Sequence, residues 1–295
     1  QNQVAGREMW KNFDVVLAVG TRFHPPMLMW EDYEDKQLIR IDTDARRQND
    51  PWLADVHITS TAKISLAGIY NRIRRHNIRR TSREDEFNIF KNAAIQKFSQ
   101  GQPQASYGEV IRKVLPEDGI ICFGVTQMGF YSWFGFPTYF PRTNIQPGYQ
   151  GTLGYAFPTG LGAQVANPDK KVISVTGDGG FMFNVQEMAT AVLHKIPLVT
   201  ILFNDNTFGN VKRNQKERYN ERYICSDLLN PDFTKLAESF GMASFRVDTP
   251  LGLQSALEKA FAENGPVLIE VEVGEMESLW PYMPLTTVKA NLPTK

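Results

Sequence analysis

A chain of 295 residues can hold one large or two ordinary domains, and 42% hydrophobic with 22% charged residues is the balance of a globular protein. Its 32 Lys and Arg equal its 32 Asp and Glu, and this zero net charge argues against nucleic acid or an anionic membrane surface as partner. The two cysteines, Cys122 and Cys225, make neither a disulfide framework nor a CxxC metal pair.

A reducing cytoplasm is therefore the expected compartment. No run reaches transmembrane length, and no signal peptide stands at the start. The first residue is Gln1 rather than Met, and the opening reads as the inside of a longer chain.

Residues 13–20, FDVVLAVG, predict a buried parallel strand ending in a Gly turn. Gln37 to Ile41 predicts a second strand, Val56 to Thr59 a short third, and Ala62 to about Arg75 a helix. The alternation predicts half of a Rossmann-like sheet over residues 1–78. No GxGxxG accompanies it, so the pattern gives no dinucleotide site. The basic cluster from Arg72 to Arg80 lies beside Glu84, Asp85 and Glu86 and reads as a solvated helix face or linker. Residues 79–105, with a charged helix and the Gly101-Gln102-Pro103 break, form the predicted linker.

The main domain is expected over residues 106–295. Tyr107 to Leu115 reads as a helix and Gly119 to Phe123 as a strand. Residues 124–143 are rich in aromatics, among them Phe130, Tyr131, Trp133 and Phe136, and read as core or subunit contact before substrate box. Thr159 to Ala166 reads as a helix. Val172 to Val175 is an apolar strand, followed by a tight turn, Gly177-Asp178-Gly179-Gly180. Met182, Val185, Met188, Ala189 and Val192 then carry a helical spacing. Ile196 to Phe203 is a second buried strand, closed by the polar turn Asn204-Asp205-Asn206-Thr207. Strand, turn, helix, strand and turn make a βαβ unit with parallel strands and a right-handed crossover. Phe208 to Asn220 reads as a polar helix or mobile loop, Leu251 to Glu263 as a helix and Pro266 to Val273 as a strand. The tail from Glu275 is irregular.

Both turns of such a unit lie at the carboxyl ends of strands, where open α/β sheets bind ligands. Asp178 follows the first strand and Asp205 the second, so two carboxylates distant in sequence can converge. Gly179 and Gly180 let backbone N–H groups approach an anion with no Cβ in the way. The following helix turns its positive end to the same spot. Mg²⁺ commonly takes one or two carboxylates together with phosphate oxygens. The stretch therefore reads as a Mg²⁺-diphosphate site, although either turn alone would read as an ordinary loop. His24, His57, His76 and His194 are scattered without metal spacing and read as structural.

GDG at 177–179 followed by NDN at 204–206 resembles the cofactor-binding signature of thiamine diphosphate enzymes. The segment Gly151-Thr152-Leu153-Gly154-Tyr155-Ala156-Phe157-Pro158 is similar to the one beneath the cofactor's aminopyrimidine. Asn230-Pro231-Asp232-Phe233 with Lys235-Leu236-Ala237-Glu238 resembles a downstream helix of acetolactate synthase-like members. AVGTRF and IRIDTDA, near the start, are similar to the second half of that family's central domain. The implied fold class is α/β: a parallel-sheet diphosphate-binding domain preceded by half of a Rossmann-like central domain.

The resemblance implies thiamine diphosphate and Mg²⁺ as cofactors. It makes Asp178 and Asp205 side-chain metal ligands, Asp205 standing where most members have Asn, and Thr207 a ligand through its carbonyl. Val125, Thr126 and Gln127 would lie against the diphosphate, with Gly177, Gly179 and Gly180 around it. Gly151, Thr152 and Leu153 would hold the aminopyrimidine, Leu153 as a wedge that a core position would suit equally. Asn204 would brace the second turn, and Phe208 begins the segment that closes over the site. Some members carry FAD in the central domain, and FAD stays undetermined here.

The implied reaction is decarboxylation or carboligation of a 2-keto acid, the cofactor serving as electron sink. In the family a glutamate from a separate pyrimidine-binding domain activates the cofactor, and no Glu here sits in a matching motif. That domain is expected in cis or in trans, and this chain alone is expected to bind weakly and not turn over. The family site lies between subunits, so a homodimer or homotetramer is expected. Asn214 stands in place of a Trp of biosynthetic acetolactate synthases, and Gln127-Met128-Gly129-Phe130-Tyr131 in place of their Gln-His-Gln-Met-Trp. An acetolactate synthase-like decarboxylase or carboligase of another substrate therefore fits better. Two alternatives stay open: the diphosphate-binding subunit of a two-chain enzyme, and a non-catalytic module that keeps the fold.

Overall fold

The computed structural model describes residues 4–22, 35–49, 53–76, 81–148 and 150–282. His24, the end of the basic cluster at 77–80 and the tail from 283 lie outside these residues. The chain forms two compact units, residues 1–96 with 280–295, and residues 97–279.

The first unit carries a three-stranded parallel sheet of β1 (Val15–Val19), β2 (Gln37–Asp42) and β3 (Val56–Thr59), in that order. Trp10 from α1 (Val4–Trp10) packs with Ala18 and Leu38 on one face. Helix α2 (Ala62–Ile73) begins where the Thr61 side chain accepts the Ile64 N–H, an ordinary N-cap. Helix α3 (Glu84–Phe98) opens on Glu84, Asp85 and Glu86, which suit the positive end of its dipole.

In the second unit, α4 (Gln104–Val114) leads into β4 (Ile120–Phe123), and α5 (Gln127–Ser132) follows. A two-residue strand β5 (Asn144–Ile145) and α6 (Ala156–Ala166) come next. The central segment runs β6 (Val172–Gly177), α7 (Asp178–Phe181), α8 (Met188–Leu193) and β7 (Val199–Asn204). The remainder is α9 (Gly209–Arg218), α10 (Phe233–Phe240), β8 (Ala243–Val247), α11 (Pro250–Ala260) and β9 (Val267–Glu272). The six strands are all parallel and ordered β5-β4-β6-β7-β9-β8.

A parallel sheet covered on both faces needs strands that are apolar on both faces. The runs supply this: every residue of β7 and the first five of β6 are buried. Phe181 packs against Phe157 of α6 and Phe233 of α10, with ring centroids 5.2 and 6.0 Å away. The edge strand β8 was not anticipated, because its side chains are half exposed and show no clean apolar run.

The predicted single helix after β6 is three pieces. GDGG is no separate turn: Asp178 to Phe181 is already helical, a 3₁₀ turn covers Val185–Glu187, and α8 starts at Met188. Asn184 interrupts the run at φ −136°, and its side chain donates to the Gly154 carbonyl at 2.7 Å. A short amide side chain that finds a backbone partner competes with helix continuation. The buried set is accordingly Phe181, Met188 and Ala191, while Met182 and Ala189, expected on the apolar face, are exposed.

The aromatic stretch divides. Phe130, Tyr131 and Phe136 are buried, whereas Trp133, Tyr139 and Phe140 are about half exposed. Both cysteines are free thiols, Cys122 buried and Cys225 exposed. Among the described residues no helix is long and apolar enough to cross a membrane.

Phe181, 1% exposed, joins three elements of this core. Phe181→Ala is expected to lower the unfolding free energy by about 3–5 kcal/mol, read as a fall in the urea midpoint at constant slope. A loss below about 1 kcal/mol would show that the aromatic stack is not a principal support of the sheet.

Candidate cofactor site

The chain leaves β4 toward β5 at one edge of the sheet and leaves β6 toward β7 on the other side. The loops after β4 and β6 therefore part from each other and open a crevice beyond the strand ends. A cavity of about 270 Å³ occupies this position. Its walls include Val125, Thr126 and Gln127 from the first loop, and Gly177, Asp178, Gly179 and Gly180 from the second. Asp205, Thr207 and Phe208 after β7, with Gly151 and Leu153 before α6, complete the expected set at the cavity.

Asp178 and Asp205 meet because β6 and β7 pair in register, Gly177 opposite Phe203. Asp178 is 3% exposed. Its Oδ2 accepts from Asn230 Nδ2 at 2.7 Å, and the nearby Gly179 and Asn206 backbone N–H groups also favour its charged form. Burial nevertheless pushes this carboxyl up to about 6, and the charge of Asp205 adds to the rise against those hydrogen bonds. Burial raises Asp205 as well; Thr207 opposes it, donating from N–H and hydroxyl to Oδ1 at 3.0 Å each, as do the charges of Lys212 and Arg213. Two acids facing one cavity, both raised by desolvation and Asp178 also by the charge of Asp205, leave a demand for positive charge there.

Thr207 pairs with Asp227 in an isolated antiparallel bridge. The bonds of that pair run through the Asn206 carbonyl to Leu228 N–H at 2.8 Å and from Phe208 N–H to the Ser226 carbonyl at 2.8 Å. Backbone groups alternate sides in extended chain, so Thr207 turns its own N–H and C=O away from this partner. Its N–H goes to Asp205, which puts the carbonyl on the same side as that carboxylate. Among the described residues no cluster of three or more His, Cys, Asp or Glu could cage a metal. The donor set is two carboxylates and a carbonyl, all hard oxygen, which suits Mg²⁺ completed by phosphate oxygens.

Gly179 is forced by packing. A Cβ there would lie 2.4 Å from the Phe208 ring, so Phe208 closes directly over the glycine that follows Asp178. Gly151 adopts φ +58°, a left-handed conformation, at the start of the loop that carries Leu153. Leu153 is 37% exposed and forms a cavity wall, which settles its position as open to the cavity and not core. Asn184, bonded to the Gly154 carbonyl, ties this loop to the break between α7 and α8.

Two of the expected site residues do not line the cavity, although Asn204 does brace the second turn by accepting the Asn206 N–H. Thr152 is exposed and does not line it. Asn204 is buried one layer below, its Oδ1 accepting from Asn230 and its Nδ2 donating to Glu270. Sequence reading missed Asn230, Glu270 and Arg246, the polar groups beneath the two turns. A Glu inside the apolar run VLIEVEV was the available signal for one of them. It also missed Val273 and Met276 as walls, which topology brings in from beyond β9. Arg213 of α9 donates to the Met276 carbonyl and joins that helix to the segment.

Residues 124–271 match the family model "Thiamine pyrophosphate enzyme, C-terminal TPP binding domain". Among curated relatives, the probable acetolactate synthase large subunit of Methanococcus aeolicus is 30% identical over 288 residues, covering 90% of this chain and 48% of the relative. That of Methanocaldococcus jannaschii is 31% identical over 284 residues, covering 92% and 48%. The chain thus spans about half the length of these relatives. Among solved structures, the Rhodococcus jostii RHA1 thiamine diphosphate-dependent 4-hydroxybenzoylformate decarboxylase superposes with a TM-score of 0.68 at 22% identity, over 90% of this chain and 50% of that one. At this identity the superposition speaks for the fold, an α/β parallel sheet of the diphosphate-binding kind. Apart from Val273 and Met276, the walls of the cavity at the ends of β4, β6 and β7 fall inside the matched residues, and the chain belongs to the thiamine pyrophosphate enzyme family through its C-terminal TPP binding domain.

Proposed function

We propose that this chain binds the diphosphate of thiamine diphosphate through a Mg²⁺ ion and forms part of an enzyme acting on a 2-keto acid. The observation that carries the reading is the pair Asp178, buried, and Asp205, partly buried, at adjacent strand ends beside Gly179 and Gly180. Asp178, Asp205 and the Thr207 carbonyl would hold the cation. Val125, Thr126, Gln127, Gly177, Gly179 and Gly180 would receive the diphosphate, and Gly151 and Leu153 the aminopyrimidine. When bound, the cofactor supplies the nucleophilic carbon and the electron sink for decarboxylation.

The residues of this chain bind and orient. Asn230 keeps a hydrogen bond on Asp178, and the Gly179 and Asn206 N–H groups lie near enough to favour its charge. Phe208 shuts one side of the cavity against water. The relatives' added length supports a pyrimidine-binding domain, in cis or from a partner chain, that supplies the activating glutamate. A homo-oligomer in a reducing cytoplasm completes the reading. Asn214 in α9 supports a substrate pair other than that of the acetolactate synthases themselves.

Calorimetric titration of thiamine diphosphate tests this. Binding is expected in Mg²⁺ and lost in EDTA, with Asp178→Ala weakening the Mg²⁺-dependent affinity by 100-fold or more, on the order of 3 kcal/mol for an unpaired buried charge site. Equal affinity with and without Mg²⁺, or in Asp178→Ala, would remove the cation from the account.

Without cation the raised Asp178 carboxyl is a stability liability with a definite sign. Between its unfolded value of 3.8 and about 6, the folded chain holds a proton that the unfolded chain has released. The stability from this group is complete below about pH 4 and is lost as pH rises through 6, by about 3 kcal/mol. In EDTA, the wild-type melting temperature should therefore fall relative to Asp178→Asn between pH 4 and 7. Parallel pH profiles for the two proteins would contradict the environment described for Asp178.

A further inference from the structure

A chain of polar contacts runs beneath the cavity. Glu270 of β9 is 2% exposed between the buried apolar residues Ile269 and Val271. A buried carboxylate persists only when paired and fully hydrogen-bonded. Arg246 of β8 provides the pairing: its Nε donates to Glu270 Oε2 at 2.8 Å, and a second nitrogen donates to Asp232 Oδ1 at 2.6 Å. Asp232 in turn caps α10, accepting the Lys235 N–H. Glu270 Oε1 accepts from Asn204 Nδ2 at 2.8 Å.

An ionised carboxylate only accepts, so Asn204 must present its NH₂ to Glu270 and its carbonyl to the other side. That carbonyl accepts from Asn230 Nδ2 at 3.0 Å and from the Asn206 N–H at 3.2 Å. An acceptor at this place obliges Asn230 to turn its own NH₂ inward, where it also donates to Asp178 Oδ2 at 2.7 Å. Neither amide is free to flip. The charge at Glu270 thus determines, two amides away, that a donor and not an acceptor faces Asp178.

We infer that Glu270 is a positioning residue for the cation site, acting through Asn204 and Asn230 to hold the Asp178 carboxylate in one orientation. The inference rests on the proposed cation reading. It requires no contact between Glu270 and cation or cofactor, and it gives Arg246 the task of pairing with Glu270 within the sheet. A glutamine at 270 would keep its carbonyl on the Arg246 donor and turn its NH₂ to Asn204, setting donor against donor, so Asn204 would lose this bond or flip and no longer hold Asn230 as it does.

Mn²⁺ is titrated into the protein in saturating thiamine diphosphate, with binding followed by water-proton relaxation, and the metal-free melting temperature is recorded in parallel. Glu270→Gln and Asn230→Ala are each expected to weaken Mn²⁺ binding about 10- to 100-fold, the usual effect of losing a group that orients a metal ligand. The metal-free melting temperature of Asn230→Ala should fall by no more than about 5 °C, because Asn230 lies in a partly exposed loop and Asn204 keeps its bonds to Glu270 and the Asn206 N–H. Asp178→Asn serves as reference and should abolish binding. Mn²⁺ affinities within twofold of wild type in both positioning variants, while Asp178→Asn binds none, overturn the inference and leave the cation reading standing. Wild-type affinity in Asp178→Asn overturns both. Should Glu270→Gln fail to fold, Asn230→Ala decides alone.

Discussion

Two carboxylates held close together in a place with little water repel each other, and the second unit is arranged around that conflict. Asp178 and Asp205 do not choose their separation. It is set by the in-register pairing of β6 and β7, which is set in turn by apolar runs buried on both faces of a parallel sheet. Folding these strands therefore forces the acids together, and the apolar core bears the cost. A site that lowers the stability of the empty protein and recovers it on binding is a common functional signature.

The polar groups around the acids limit that cost without cancelling it. Asp178 receives a donor from Asn230, and Asp205 two from Thr207. Below them a second charged layer, Glu270, Arg246 and Asp232, anchors the amides that supply those donors. Such a network is worth having only if every member is satisfied, since a buried polar group without a partner costs more than an apolar replacement. Most of its bonds link elements far apart in sequence, which makes the strand order itself a requirement of the site. Glu270 and Asn204, for instance, are 66 residues apart.

Much of this was legible in the sequence, and the reasons are local. The β6 and β7 runs are continuous and β-branched, the turns after them carry Asp, Asn and Gly, and parallel topology puts both turns at one end of the sheet. Most of the expected cavity residues come together as a result. What escaped depends on contacts that no window contains. Asn184 breaks a periodic helix because Gly154 happens to need its amide. Strand β8 exists because β9 offers it an edge. Leu153 could be core or wall by composition, and only the left-handed Gly151 and Gly154 on either side turn it into the cavity. Asn230 reads only as the first residue of a family-like helical segment until Asp178 and Asn204 are placed beside it.

The most direct test of the central claim is the anomalous difference map of crystals grown with Mn²⁺ and thiamine diphosphate. The account predicts a peak bridging Asp178 and Asp205, within about 2.3 Å of an oxygen from each and of the Thr207 carbonyl, with the diphosphate completing the shell. A peak that touches neither carboxylate, or cofactor density in the cavity with no metal between the two acids, would contradict it.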